Sequence, residues 1–215
     1  MSVSKRAPSR RHALGIGLVL TATAVTSLSG CAPLLVGGAV MGGTLMYSDR
    51  RTSGAQIEDQ AIELKASNRI REVLSDRAHV NVTSYNRQVL LTGEALTEAD
   101  KAAAEQAARA VENVRAMVNE LGVMGASSLT SRSNDTLLSG KVKASLVDAK
   151  DLSANAFKVV TERATVFLMG RVTEREATRA ADIARSVGGV QRVVRVFELI
   201  SEAELANLQP RPAAR

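Results

Sequence analysis

Two groupings in this 215-residue chain carry side chains able to do chemistry. The first is Leu28-Ser29-Gly30-Cys31, which ends in the only cysteine of the sequence. A lone thiol rules out a disulfide within one chain. The second lies on a helix predicted over Asn134–Asp151, where Leu138, Val142, Ser145 and Leu146 recur at core spacing. Leu137, Lys141 and Ala144 then fall along one flank of that helix, and Lys143 and Lys150 along the other. Lysine stems lie on apolar surface while their ammonium groups stay at phosphate level, so an apolar residue beside a cation suits an interfacial helix. Asp148 on the Leu137 flank works against that attraction. The competing reading is an ordinary solvated helix face.

The remaining reactive residue types do not assemble into a catalytic pattern. His79 has no cysteine or second histidine near it to complete a metal set. No serine sits in a G-x-S-x-G elbow, and no glycine-rich phosphate loop occurs. Asp100, Glu105, Glu174 and Glu176 fall on polar helix faces, where capping and solubility account for them. These features point away from an enzyme, and no cofactor is expected beyond groups carried covalently on Cys31.

The surroundings of Cys31 explain its use. Lys5, Arg6, Arg10 and Arg11 form a basic head, Ala13–Thr26 is an uncharged core, and small residues follow. That is the three-part form of a secretory signal over residues 1–30. Gly30, Pro33, Gly37, Gly38, Gly42 and Gly43 argue against one continuous membrane helix here. Leu-Ser-Gly-Cys resembles the bacterial lipobox. The resemblance implies that the thiol of Cys31 receives a diacylglycerol group, the chain is cut before it, and the new amine is acylated. Ala32, where an aspartate would favour retention at the inner membrane, implies the outer membrane and its periplasmic face. Residues 31–56 read as a glycine-rich, lipidated linker.

Charge excludes one class of partner. The formal net charge is +6, but four of the cations lie in the leader, which has no acid. Without them 24 basic residues face 22 acidic ones. No basic stripe suited to nucleic acid remains. Aromatic residues make up 2% and tryptophan is absent, so the core must be aliphatic, which fits small layered domains better than a deep pocket.

The body of the chain repeats itself. Asn81-Val82-Thr83 and Val89–Gly93 recur as Lys158-Val159-Val160 and Val166–Gly170, at an offset of 77. A period of this length means duplicated small domains. Each copy predicts a helix, a hairpin, a helix capped by Thr97 or Thr173, and a last strand. The hairpins turn at Ser84–Arg87 and at Glu162-Arg163-Ala164. Thr173 and Glu176 have capping-box spacing. Ala177, Ala181 and Ala184 mark the buried face of the second copy, and Ala103, Ala107 and Ala110 that of the first. The expected class is α+β, with helices packed on a three-stranded sheet in each of two tandem units. The first unit spans residues 57–124 and the second 131–200. Residues 201–215, with Pro210 and Pro212, read as a disordered tail.

This order resembles the BON domain of bacterial periplasmic proteins, and the whole chain resembles the dual-BON-domain outer-membrane lipoproteins. The match is carried by Asp49–Asp59 (DRRTSGAQIED), Asn81-Val82-Thr83, Asn134-Asp135-Thr136, Lys141-Val142-Lys143 and Val166–Ala177 (VFLMGRVTEREA). The resemblance implies a non-catalytic protein that supports outer-membrane integrity. It further implies binding of anionic phospholipid through the first helix of the second domain, at Leu137, Lys141, Lys143 and Ala144. The family has an aromatic residue where this chain has Leu137. The family is also linked to the division site, to control of cell-wall amidases and to the outer-membrane protein assembly machinery. A protein scaffold without lipid recognition is the alternative, with Asp49–Asp59 as its recognition strip.

Overall fold

Two strands with apolar side chains on both faces decide the architecture. The computed structural model describes residues 49–208. The signal at 1–30, Cys31, most of the linker and residues 209–215 lie outside the described residues. Strand β1 (Ala78–Tyr85) pairs antiparallel with β2 (Gln88–Ala95), from Ala78 opposite Ala95 to Tyr85 opposite Gln88. Along β2, Val89 and Leu91 point to one face and Leu90 to the other, and all three are fully buried. The second copy does the same. Its β5 (Lys158–Glu162) pairs antiparallel with β6 (Thr165–Val172), whose Val166 and Leu168 oppose Phe167 and Met169.

Helices cover one face of each sheet. Helix α1 (Ser53–Leu74) and α2 (Glu98–Arg109) enclose Val89 and Leu91 with Ile62, Ala66, Ile70, Leu74, Ala104 and Ala108. Strand β3 (Ala116–Asn119) runs parallel to β2, and the two-residue β4 (Gly122–Val123) extends that edge. In the second copy α3 (Leu129–Asp148) and α4 (Glu174–Ser186) enclose Val166 and Leu168 with Val142, Leu146, Ala177, Ala180, Ala181 and Ala184. Strand β7 (Arg192–Leu199) lies parallel to β6. The remaining faces meet each other, because Tyr85, Leu90, Phe167, Met169 and Val196 form a third core. The two copies make one unit of four layers: helices, sheet, sheet, helices. The α+β class and its helix-strand-strand-helix-strand order are as expected, with β4 an addition that makes the first sheet four-stranded and leaves the second three-stranded.

The hairpin turns are tighter than the sequence suggests. Tyr85 belongs to β1 and is buried, and Glu162 belongs to β5, so each turn has two residues. Asn86 and Arg87 take φ of 50° and 68°, and Arg163 and Ala164 take 48° and 55°. Two-residue hairpins demand this left-handed geometry, which costs non-glycine residues ~1–2 kcal/mol each. One buried aspartate in each copy offsets that cost. Asp59 accepts the amides of Asn86 at 2.8 Å and Arg87 at 2.7 Å, and the Ser84 hydroxyl at 2.7 Å. Asp135 accepts the amides of Arg163 and Ala164, both at 2.8 Å.

The strand-glycine-helix steps also have a steric cause. A Cβ on Gly93 (φ 113°) would lie 2.0 Å from the His79 carbonyl oxygen, and one on Gly170 would lie 2.4 Å from that of Ala156. The helices that follow start at caps Thr97 and Thr173, and both hydrogen bonds of the Thr173–Glu176 capping box form. Ala104 and Ala108 are the fully buried alanines of α2, whereas Ala103 and Ala107 pack at its margin and Ala110 is exposed.

Both ends of the described chain depart from the sequence reading. Residues 53–56 are helical, not linker, because Thr52 caps α1 by accepting the Ala55 amide. Ahead of them, Arg50 and Arg51 pin the chain to the body. Arg50 makes a bidentate pair with Glu176, both contacts 2.7 Å, and donates to the Arg171 carbonyl. Arg51 pairs with Asp49 and Asp59 and lies over the Tyr85 ring, 4.2 Å from its centroid. At the other end Glu202–Leu208 form α5, not disordered tail, since Ser201 accepts the Glu204 amide and Leu205 is buried.

Candidate interfacial helix

The helix that carries the sequence-predicted site is fixed on its inner side. Ser128 caps α3, and Asp135, Leu138, Val142 and Leu146 are buried beneath it. Ser145 is only partly covered. Because Asp135 also latches the β5–β6 turn, α3 cannot roll without breaking the two hydrogen bonds that the Arg163 and Ala164 amides donate to it.

Its outer side is apolar and cationic, except for the exposed Asp148 on the Leu137 flank. Leu137 is 65% exposed, Val147 68% and Leu129 80%, with Gly140 and Ala144 open between them. Lys141 and Lys143 flank this strip, and Lys150 follows its end. The structure thus places Leu137, Lys141, Lys143 and Ala144 on one exposed surface. Sequence reasoning missed Leu129 and Val147. Their signal was available, since they share the helix flank of Lys143 at spacings of 14 and 4 residues.

Among the described residues Lys141, Lys143 and Lys150 have no ion-pair partner. They share with Lys101 the lack of a carboxylate partner, and they are the ones gathered at an exposed apolar strip. Most arginines of the body are paired: Arg171 with Glu198 and Glu204, Arg179 with Asp151, Arg195 with Glu174. The equivalent helix of the first copy differs. On α1, Ile57 and Leu64 are exposed, but Lys65 is paired to Glu112, and Glu58, Glu63 and Glu72 lie along the same helix.

A second polar cluster lies where the copies join. Arg163 donates to the Gly93 carbonyl at 2.7 Å and to Glu94 at 3.2 Å, and Asn81 donates to Glu162 at 3.2 Å. Burial, then the nearby Glu94 charge, pushes the Glu162 carboxyl above its ordinary value. Burial acts first on Asp59 and Glu176 as well. Their hydrogen bonds outweigh it and hold both carboxyls below the usual range: the Arg87 amide and Ser84 hydroxyl on Asp59, Arg50 and the Thr173 amide on Glu176. Burial, helped by Asp49, raises the Tyr85 phenol to about 12. Among the described residues no group of three or more His, Cys, Asp or Glu side chains gathers to hold a metal. His79 stands 3.4 Å from Glu94 on the rim of this cluster. Among the same residues no helix is long and apolar enough to cross a membrane.

Comparison with known proteins adds the family. The BON domain model matches residues 58–125 and again 134–200. The chain is 35% identical over 185 residues to the outer membrane lipoprotein DolP of Haemophilus influenzae, covering 85% of this chain and 95% of that protein. It is 30% identical over 154 residues to the 21 kDa hemolysin of Actinobacillus pleuropneumoniae, covering 71% of this chain and 79% of that one. Among solved structures, the C-terminal domain of CdsD, a Type III secretion protein of Chlamydia trachomatis, aligns with 62% of this chain and 96% of its own. Its identity is 10% and its TM-score 0.28, too low to bear on function.

Proposed function

This chain belongs to the BON-domain family, with two such domains in the manner of the DolP lipoproteins, and from that premise we propose a phospholipid-reading lipoprotein of the outer membrane. Cys31 carries the acyl and diacylglycerol groups that hold it at the periplasmic face. Helix α3 reads the membrane, placing Leu137, Ala144, Val147 and Leu129 at the acyl boundary and Lys141, Lys143 and Lys150 among anionic headgroups. The observation that carries this reading is that these lysines are unpaired around an exposed apolar strip. Leucine inserts without the interfacial preference of an aromatic ring, so electrostatics bears more of the recognition.

Magnitudes divide the labour. Each lysine near an anionic surface is worth ~1 kcal/mol, so three give ~3 kcal/mol. Acyl chains contribute ~0.8 kcal/mol per buried methylene, so the anchor outweighs the lysines. The anchor retains the protein, and α3 chooses the lipid beneath it.

The test uses the protein without its anchor (Cys31→Ala, lacking residues 1–30) and co-sedimentation with neutral and anionic vesicles at two salt concentrations. Salt-sensitive binding to the anionic vesicles alone is expected. Lys141→Glu with Lys143→Glu should weaken it at least ~30-fold, the equivalent of ~2 kcal/mol. Undiminished binding by that variant would rule out the lipid-reading helix.

A second reading has one observation in its favour. Helix α1 occupies the outer layer opposite α3 and exposes Ile57 and Leu64. With α3 on the membrane, α1 faces the periplasm, where a scaffold would meet an envelope partner such as the assembly machinery or amidase regulators. The Asp49–Asp59 strip suits that role less well, since Arg50, Arg51 and Asp59 are engaged within the molecule.

A further inference from the structure

A groove runs along the inner flank of α3, about 320 Å³ in volume, lined by Leu146, Val147, Ala154, Phe157 and Val159, with Lys143 at its edge and the exposed Asn155 as its other polar member. Val147 belongs both to this wall and to the exposed strip, so the groove opens onto the surface assigned above to the membrane. Its floor is made by the buried Leu146, Phe157 and Val159. A cavity of ~150 Å³ lined by apolar side chains takes up a benzene ring. This one has about twice that volume and is open at one side, which suits a stretch of hydrocarbon chain rather than a headgroup. The cation at its edge has no acidic partner among the described residues.

We propose that this groove takes one acyl chain of an anionic phospholipid, with the lipid phosphate at Lys143. The inference rests on the reading of α3 as a membrane-facing helix and deepens it. A lysine on a flat surface senses only charge density. A lysine beside a chain-sized groove holds a single lipid molecule, because headgroup and tail are engaged together. The groove lies between α3, the turn at Ala154–Ala156 and β5, all anchored in the second core, so the chain enters a preformed site.

Short-chain phosphatidylglycerols kept as monomers separate this site from bilayer adsorption. The unacylated protein would be titrated with dibutyroyl and dihexanoyl phosphatidylglycerol, following the Phe157 ring and the Leu146, Val147 and Val159 methyls by NMR. A buried methylene is worth roughly fourfold in affinity, so two more of them in the groove should make the longer lipid bind up to ~16-fold tighter. Ala154→Leu, at the half-buried lip, should remove that difference while anionic vesicle binding changes less than ~3-fold. Equal affinities for the two lipids, or an Ala154→Leu protein that still separates them, would overturn the groove. Dihexanoyl phosphatidylcholine binding as tightly as the glycerol lipid would overturn the role of Lys143. Vesicle binding that survives Lys141→Glu, Lys143→Glu would instead overturn the reading of α3.

Discussion

Arg50→Met should cost this protein much of its stability, and Glu176→Gln should restore most of it. The side chains of Arg50 and Glu176 are 9% and 4% exposed, and their two contacts are each 2.7 Å. Removing one partner of a buried pair leaves an uncompensated charge, at ~3–5 kcal/mol. At ~2–4 °C per kcal/mol for a unit of this size, the midpoint should fall by roughly 6–20 °C. The double variant has no buried charge left there, and glutamine still serves at the third position of a capping box. Its midpoint should lie within a few degrees of the parent. The sign of the pH dependence follows from the lowered Glu176 carboxyl. In the parent this stabilisation is complete above the ordinary glutamate range, near 4.5, and is lost as pH falls through the lower folded value. The cost of Arg50→Met should therefore be greatest near pH 7 and shrink toward pH 4. Thermal melts of the unacylated protein at both pH values measure this. A cost below ~1 kcal/mol at pH 7 would mean that the segment before α1 is a tether after all.

Asp135→Ala removes both acceptors from the strained Arg163-Ala164 turn and should destabilise by ~3 kcal/mol, read as a lower urea midpoint with faster exchange of those two amides. Phe167→Ala cuts a large buried side chain from the core between the sheets, and ~3–5 kcal/mol should be lost. Hydrogen exchange should then rise first in β2 and β6. Glu162→Gln should stabilise the protein at neutral pH, since a raised folded carboxyl works against folding when ionised. The gain should vanish once the pH drops through the ordinary glutamate range, and a gain that persists at pH 4 would point to a cause other than charge.

Local patterns carried most of the fold. The doubled apolar character of Val89-Leu90-Leu91 and Val166–Met169 was legible, as were the caps at Thr97 and Thr173. What covers Leu90 and Phe167 was not, because inter-sheet docking is a contact between residues 77 apart that no local spacing encodes. Tyr85 was hidden by its polar neighbours Ser84, Asn86 and Arg87. The linker reading of Asp49–Thr52 followed its place behind a glycine-rich stretch, whereas its arginines find acids 8 and 126 residues away. Asp59 and Asp135 left one faint mark: an acid three residues before Ile62 and Leu138, on the buried side of each helix. Of the candidate site, the side of α3 followed from periodicity. The unpaired state of its lysines depends on which arms of the body reach them.

The aspartate latches recur 76 residues apart and the glycine steps 77, so the inner construction of the two copies is the same. Their outward surfaces have diverged: Leu64 stands where the second copy has Gly140, and a paired Lys65 where it has the unpaired Lys141. A duplicated chassis of this kind lets selection specialise one exterior while the other drifts or acquires a separate task, since neither change reaches the shared interior. An outward strip moved from α3 onto α1 should for that reason fold, and would turn the opposite side of the molecule toward the membrane.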